Sequence, residues 1–140
     1  VRVEGFPLAQ RILVVEDDPA VVEDLSLLLT EFGYEFLGAV SDPGMALERA
    51  RLLHPDLILM DIYFAGAPSG LELARSVNDE TGARIVFVGG VSDPDLFMRV
   101  VHIDPIGVID KPINPAYLHA VLARALRGSA TLTAIGHGGD

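Results

Sequence analysis

Hydrophobic residues along this chain alternate between short unbroken runs and longer stretches in which they recur at helical spacing. Residues 12–15, 57–60 and 85–88 are apolar at every position. Runs that short and that continuous predict strands covered on both faces. After the first run, Val21, Val22, Leu25, Leu28, Leu29 and Phe32 return at three- and four-residue intervals and stop at Gly33, where a helix C-terminal cap belongs. The same reading along the chain predicts strands over 11–16, 35–40, 57–60, 84–88 and 107–109. Helices are predicted after the first strand and over 43–53, 71–77, 95–103 and 116–126, with Leu47, Ala50 and Leu53 on the inner side of the second. The punctuation agrees. Asp18-Pro19, Asp42-Pro43, Asp93-Pro94 and Asn114-Pro115 each place a capping side chain before a proline that suits the first helical position.

Five strand–helix units imply an α/β, doubly wound, five-stranded parallel sheet with right-handed crossovers and helices on both faces. Sites in such sheets lie beyond the carboxyl ends of the strands. That rule singles out Glu16 and Asp17, Asp61, Gly89 and Gly90, and Lys111, which are far apart in sequence.

Composition narrows the class. The 140 residues suit one domain with one core, half of them hydrophobic. No apolar run nears the roughly 18 residues a membrane span needs, and no signal-peptide pattern is present. There is no cysteine, hence no disulfide framework or thiolate metal site, and a cytoplasmic setting is expected. The net charge is −10, from 20 acidic and 10 basic residues. The basic residues are scattered, so no nucleic-acid or membrane partner is expected. One folded domain over 10–127 is expected, with an N-terminal extension over 1–9, a small, polar, Gly-rich tail over 128–140, and no room for an output domain.

The acids carry the first chemical signal. Glu16, Asp17 and Asp18 follow the first strand, and Asp61 follows the third. Asp18 precedes proline and is expected to cap the next helix. Capping does not account for Glu16, or for Asp61. Carboxylates converging from two strand ends repel unless a cation joins them, and hard oxygen donors suit Mg²⁺ or Mn²⁺. Lys111, the only lysine beside nine arginines, closes the fifth strand, where its compact charge can meet the acids or a phosphoryl oxygen. The bond from Lys111 to Pro112 is open to either isomer.

Four blocks now resemble a family: Ile-Leu-Val-Val-Glu-Asp-Asp-Pro at 12–19, Pro-Asp-Leu-Ile-Leu-Met-Asp-Ile at 55–62, Gly-Leu-Glu-Leu-Ala at 70–74, and Lys111-Pro112. In that order and spacing they resemble the response-regulator receiver domains of two-component signalling. The third loop, Asp-Ile-x-x-x-Gly-x-x-x-Gly over 61–70, resembles one subset, as do Ser92-Asp93 and the approach Pro105-Ile-Gly107. The resemblance implies a flavodoxin-like (βα)5 fold with strand order 2-1-3-4-5. It implies Asp61 as phosphoacceptor, Asp17 as main metal ligand with Glu16 helping, and the Tyr63 backbone carbonyl completing the protein's Mg²⁺ ligands. It implies Lys111 pairing with the phosphoryl group, and a histidine kinase or histidine phosphotransfer protein as donor. Such a domain accepts and loses a phosphoryl group without being a turnover enzyme.

Two positions depart from the resemblance. Gly89 stands where the family usually has Thr or Ser, and Val108 where it usually has Tyr or Phe. The usual hydroxyl-to-aromatic relay is therefore expected to be absent, with Ser92 a weak substitute and the backbone amides of Gly89 and Gly90 left to bond phosphoryl oxygens. This favours a second reading, a pseudo-receiver that binds proteins without being phosphorylated. A third, a metal-dependent phosphatase with an aspartyl-phosphate intermediate, would want an acid where Tyr63 stands. In the fourth helix Leu96, Val100 and Ile103 form an inward stripe, and Phe97 and Val101 a second one beside it. An exposed second stripe would suit a homodimer or effector interface.

Overall fold

The computed structural model describes residues 9–63, 70–89, 94–103 and 106–135. Five strands and five helices alternate: β1 (Arg11–Val15), α1 (Pro19–Glu31), β2 (Glu35–Val40), α2 (Pro43–Leu53), β3 (Leu57–Asp61), α3 (Gly70–Thr81), β4 (Arg84–Val88), α4 (Pro94–Ile103), β5 (Gly107–Ile109) and α5 (Pro115–Ile135). The strands form one parallel sheet in the order β2-β1-β3-β4-β5, the expected doubly wound arrangement.

Two cores follow from two covered faces. Leu13, Val15, Ile58, Met60, Ile85 and Phe87 point to one side, where Ala46, Ala74, Leu96 and Val100 meet them from α2, α3 and α4. Ile12, Val14, Leu57, Leu59, Val86 and Val88 point to the other, against Leu25, Leu29, Leu118 and Leu122 of α1 and α5. Successive strand residues alternate faces, so strands buried on both sides must be apolar throughout. All five β3 residues are buried.

The caps form as the sequence predicts. Asp18 accepts from the Ala20 amide at 3.0 Å, Asp42 from the Gly44 amide at 3.0 Å, and Asn114 from the Tyr117 amide at 2.9 Å. Asp93 lies outside the described residues, as do Gly90, Ser92, Pro105 and the loop 64–69. Two helices are longer than the hydrophobic pattern indicates. α3 runs on to Thr81, and the backbone of α5 continues past Leu126 to Ile135, so part of the predicted tail is helical. Neither extension contains a proline to stop it.

The rim opposite the strand carboxyl ends is tied by Arg11. Its amide donates to the Asp56 carboxylate at 2.7 Å, and its guanidinium donates to the Leu53 and His54 carbonyls that end α2. At the sheet edge, β2 carries an irregularity in its register with β1 between Ile12 and Val14, where Gly38 adopts φ +106°. That backbone region is open to glycine, and a bulge there twists the edge strand. No described helix is long and apolar enough to cross a membrane.

Candidate functional site

Strand register assembles the site. Val15 is level with Met60, so Glu16 and Asp61 are the next positions along β1 and β3. Asp61 is level with Val88, and Val88 with Ile109. Gly89 thus leaves the sheet beside Asp61, and Lys111 follows β5 at the same rim. The carboxylates of Glu16, Asp17 and Asp61 each offer an oxygen within 4.8 Å of the other two. The Lys111 ammonium lies 3.0 Å from Glu16 Oε1 and 3.6 Å from Asp61 Oδ1. All four side chains read from the sequence are brought together. The Lys111–Pro112 peptide is cis.

Glu16 and Asp61 are 2 % and 4 % exposed and are the buried charged residues among those described. Acidic side chains are seldom that buried without partners. Glu16 Oε2 accepts from the Asp18 amide at 3.1 Å, while Oε1 pairs with the Lys111 ammonium. Burial raises the Glu16 carboxyl above its ordinary range, and the nearby Asp61 charge adds to this; Lys111 and the Asp18 amide oppose it without prevailing. For Lys111, burial pulls the pKa down, but the Glu16 and Asp61 carboxylates more than offset this and raise it. Two buried acids and an outer third, with one ammonium among them, leave excess negative charge. A divalent ion held by hard oxygens fits that donor set.

Asp61 Oδ1 accepts from the Tyr63 amide at 3.1 Å, which fixes the carboxylate's direction. The Tyr63 side chain is exposed beside it. Gly70 supports the acceptor from beneath, a contribution that the sequence reading did not isolate. Its amide donates to the Ile62 carbonyl at 3.2 Å, and a Cβ there would overlap the Asp61 carbonyl oxygen. The only sequence signal was its place at the end of the Asp-Ile-x-x-x-Gly-x-x-x-Gly stretch.

Gly89 requires a correction. Its amide donates to the Ile109 carbonyl at 2.8 Å, just past the end of β4, and is therefore not free to donate to a phosphoryl oxygen. What Gly89 contributes is space. It is buried at φ +130°, and a Cβ built on it would point towards Asp61 Oδ1, 3.7 Å away. Val108, the other departure, is partly buried and packs against the core cluster that contains Leu96 and Val100.

Residues 12–123 match the family described as the response regulator receiver domain. The chain is 31 % identical over 120 residues to the DNA-binding response regulator MtrA of Mycolicibacterium smegmatis, covering 86 % of this chain and 52 % of that protein. It is 30 % identical over 120 residues to the phyllosphere-induced regulator PhyR of Methylorubrum extorquens, covering 85 % of this chain and 44 % of that one. The chain thus spans about half the length of these curated relatives. Among solved structures, the signal receiver domain of a modulated diguanylate cyclase from Desulfovibrio desulfuricans G20 superposes with a TM-score of 0.81 at 28 % identity, covering 88 % of this chain and 98 % of that one. A CheY-like receiver domain protein from Methanospirillum hungatei JF-1 gives a TM-score of 0.80 at 25 % identity, covering 89 % and 98 %.

Proposed function

This chain belongs to the response regulator receiver family, a signalling module rather than a turnover enzyme, and from that premise we propose that it is a phosphoacceptor switch working through Asp61. The observation that carries the reading is a buried Asp61 carboxylate flanked by the Lys111 ammonium and by two further acids. A histidine kinase or histidine phosphotransfer protein in the cytoplasm supplies the phosphoryl group. A carboxylate oxygen of Asp61 bonds to phosphorus as the bond from phosphorus to the donor imidazole breaks, and the imidazole leaves. A carboxylate is a competent nucleophile, and phosphoryl transfer asks the protein mainly for positioning and charge neutralisation. The Tyr63 amide and Gly70 hold Asp61 in place, and Lys111 neutralises phosphoryl oxygens. Glu16, Asp17 and Asp61, with the Tyr63 carbonyl, would hold Mg²⁺ or Mn²⁺, which when bound offsets the charge of the phosphoryl oxygens. The Gly90 amide is proposed to donate a hydrogen bond to a phosphoryl oxygen.

Gly89 and Val108 favour a second reading, a pseudo-receiver that binds partners without phosphorylation. One experiment separates the two. Incubated with acetyl phosphate and Mg²⁺ and quenched rapidly, the protein should gain one phosphoryl mass, and Asp61→Asn should gain none. An unchanged wild-type mass, with metal binding verified, would select the pseudo-receiver.

A further inference from the structure

Between α3 and α4 runs a groove of about 570 Å³ that shares no lining residue with the acidic cluster and is opposite to it in charge. Its apolar floor and wall are Leu71, which is buried, and Met98, which is 55 % exposed. Its polar lining includes Arg75, Arg99 and His102 against a single acid, Glu72. In a chain of net charge −10 this is a local reversal of sign. Arg75 is exposed and belongs to none of the ion pairs among the described residues. Among the described residues Arg99 pairs with Glu72 alone, at 3.8 Å, and that carboxylate is 86 % exposed. So loose a surface pair holds its partners weakly and yields readily to a better-placed carboxylate.

We propose that this groove docks an acidic, amphipathic segment of a partner protein. An apolar side chain of the segment seats on Leu71 and Met98, and flanking carboxylates pair with Arg75 and Arg99 and accept from His102. Arginine suits that role because its planar fork meets a carboxylate with two parallel bonds. An apolar anchor ringed by charge is the usual construction of a helix-in-groove contact. The proposal does not depend on phosphoryl transfer at Asp61.

The test is NMR titration of the whole chain with a synthetic peptide of about four helical turns, carrying leucines at helical spacing flanked by glutamates. Amide shifts should concentrate in residues 71–76 and 98–102 and weaken as salt is added. Arg75→Glu should weaken binding about tenfold, and Arg75→Lys less, because lysine keeps the charge but loses the two parallel bonds. The melting temperature of both variants should stay at that of the wild type, because Arg75 is exposed and has no ion-pair partner among the described residues. The matched peptide with lysines for glutamates, and the one with serines for leucines, should not bind. Absence of shifts at millimolar peptide overturns the proposal, as does equal binding of either control. Shifts centred on Phe97, Val101 and Ile106 would move the interface to the other side of α4. Shifts that grow with protein concentration alone would make the occupant a second copy. Either result overturns it too.

Discussion

Asp17 and Asp18 are neighbours that do different work. Asp18 caps α1 through the Ala20 amide, whereas Asp17 lies exposed at the mouth of the acidic cluster. Asp17→Ala should therefore weaken Mg²⁺ binding more than Asp18→Ala does, and Asp18→Ala should lower stability by about 1 kcal/mol, the usual cost of a lost cap. A calorimetric metal titration and a thermal melt of each variant check the ranking, and the opposite ranking would sink the assignment. Proline after Asp18 made the division of labour legible in the sequence. Gly89 shows the converse. Its missing hydroxyl was legible, but its backbone was not, because φ belongs to the fold of the chain around β4 and β5. At φ +130° a side chain is strained wherever it points. Gly89→Ser should thus lower stability by about 1–3 kcal/mol, the typical cost of a residue in such a region. It should also fail to lengthen the lifetime of phosphorylated Asp61. Denaturant melts and the decay of the phosphoryl mass would show this. A stable, longer-lived variant would mean that the backbone relaxes to the extended form and accepts the hydroxyl.

At the scale of elements, the strands were the most legible feature, because burial on both faces confines polar residues to the strand ends, as with Arg11, Asp61 and Arg84. Helix ends were legible where a proline followed a capping residue and obscure where neither stood. α3 passes beyond Val77 into Asn-Asp-Glu-Thr, which carries no apolar period. Its last turn is held by polar bonds instead: Asn78 donates to the Ala83 carbonyl at 2.9 Å and Thr81 to that of Val77 at 2.7 Å. α4 behaves as its two stripes foretold, as far as its side chains are described. Leu96 and Val100 are 4 % and 3 % exposed, while Phe97 and Val101 are 53 % and 49 % exposed, with Met98 and Ile106 also in water. A side chain that exposed contributes little to the core. Phe97→Ser should then leave the melting temperature close to wild type, and it should alter self-association or effector binding if this face is used. A fall of several degrees would show instead that Phe97 packs in solution.

For the whole molecule, strand order and register do what no local pattern can: they bring residues 16, 17, 61 and 111 to one rim. The sequence identified these residues by type and by position at strand ends. Their distances, the Tyr63 amide on Asp61 and the seat provided by Gly70 depend on packing between elements and were not legible. The same scale governs how a signal would spread. A phosphoryl group shifts the domain only by interacting differently with two conformations. Here no hydroxyl stands at Gly89, and Val108 already packs against the cluster beneath α4, with a stiff side chain too small to swing like a ring. Phosphorylation should therefore perturb residues around Asp61 and leave α4 nearly still, with a coupling of about 1 kcal/mol. Amide shifts with and without a phosphoryl mimic test this. Changes through Val108 and residues 95–103 as large as those at Asp61 would reveal another relay.

The lysine between the acids has a consequence for reagents rather than for signalling. It is the only lysine of the chain, so any chemistry directed at primary amines finds a single side chain, besides the amino terminus, and finds it at the site. Its ammonium is paired with Glu16 and Asp61, and its pKa is raised. Both effects keep it protonated and slow to acylate. Whatever draws those carboxylates away changes that rate. The molecule thus carries its own chemical probe, one amine whose acylation rate reports what occupies the acidic cluster.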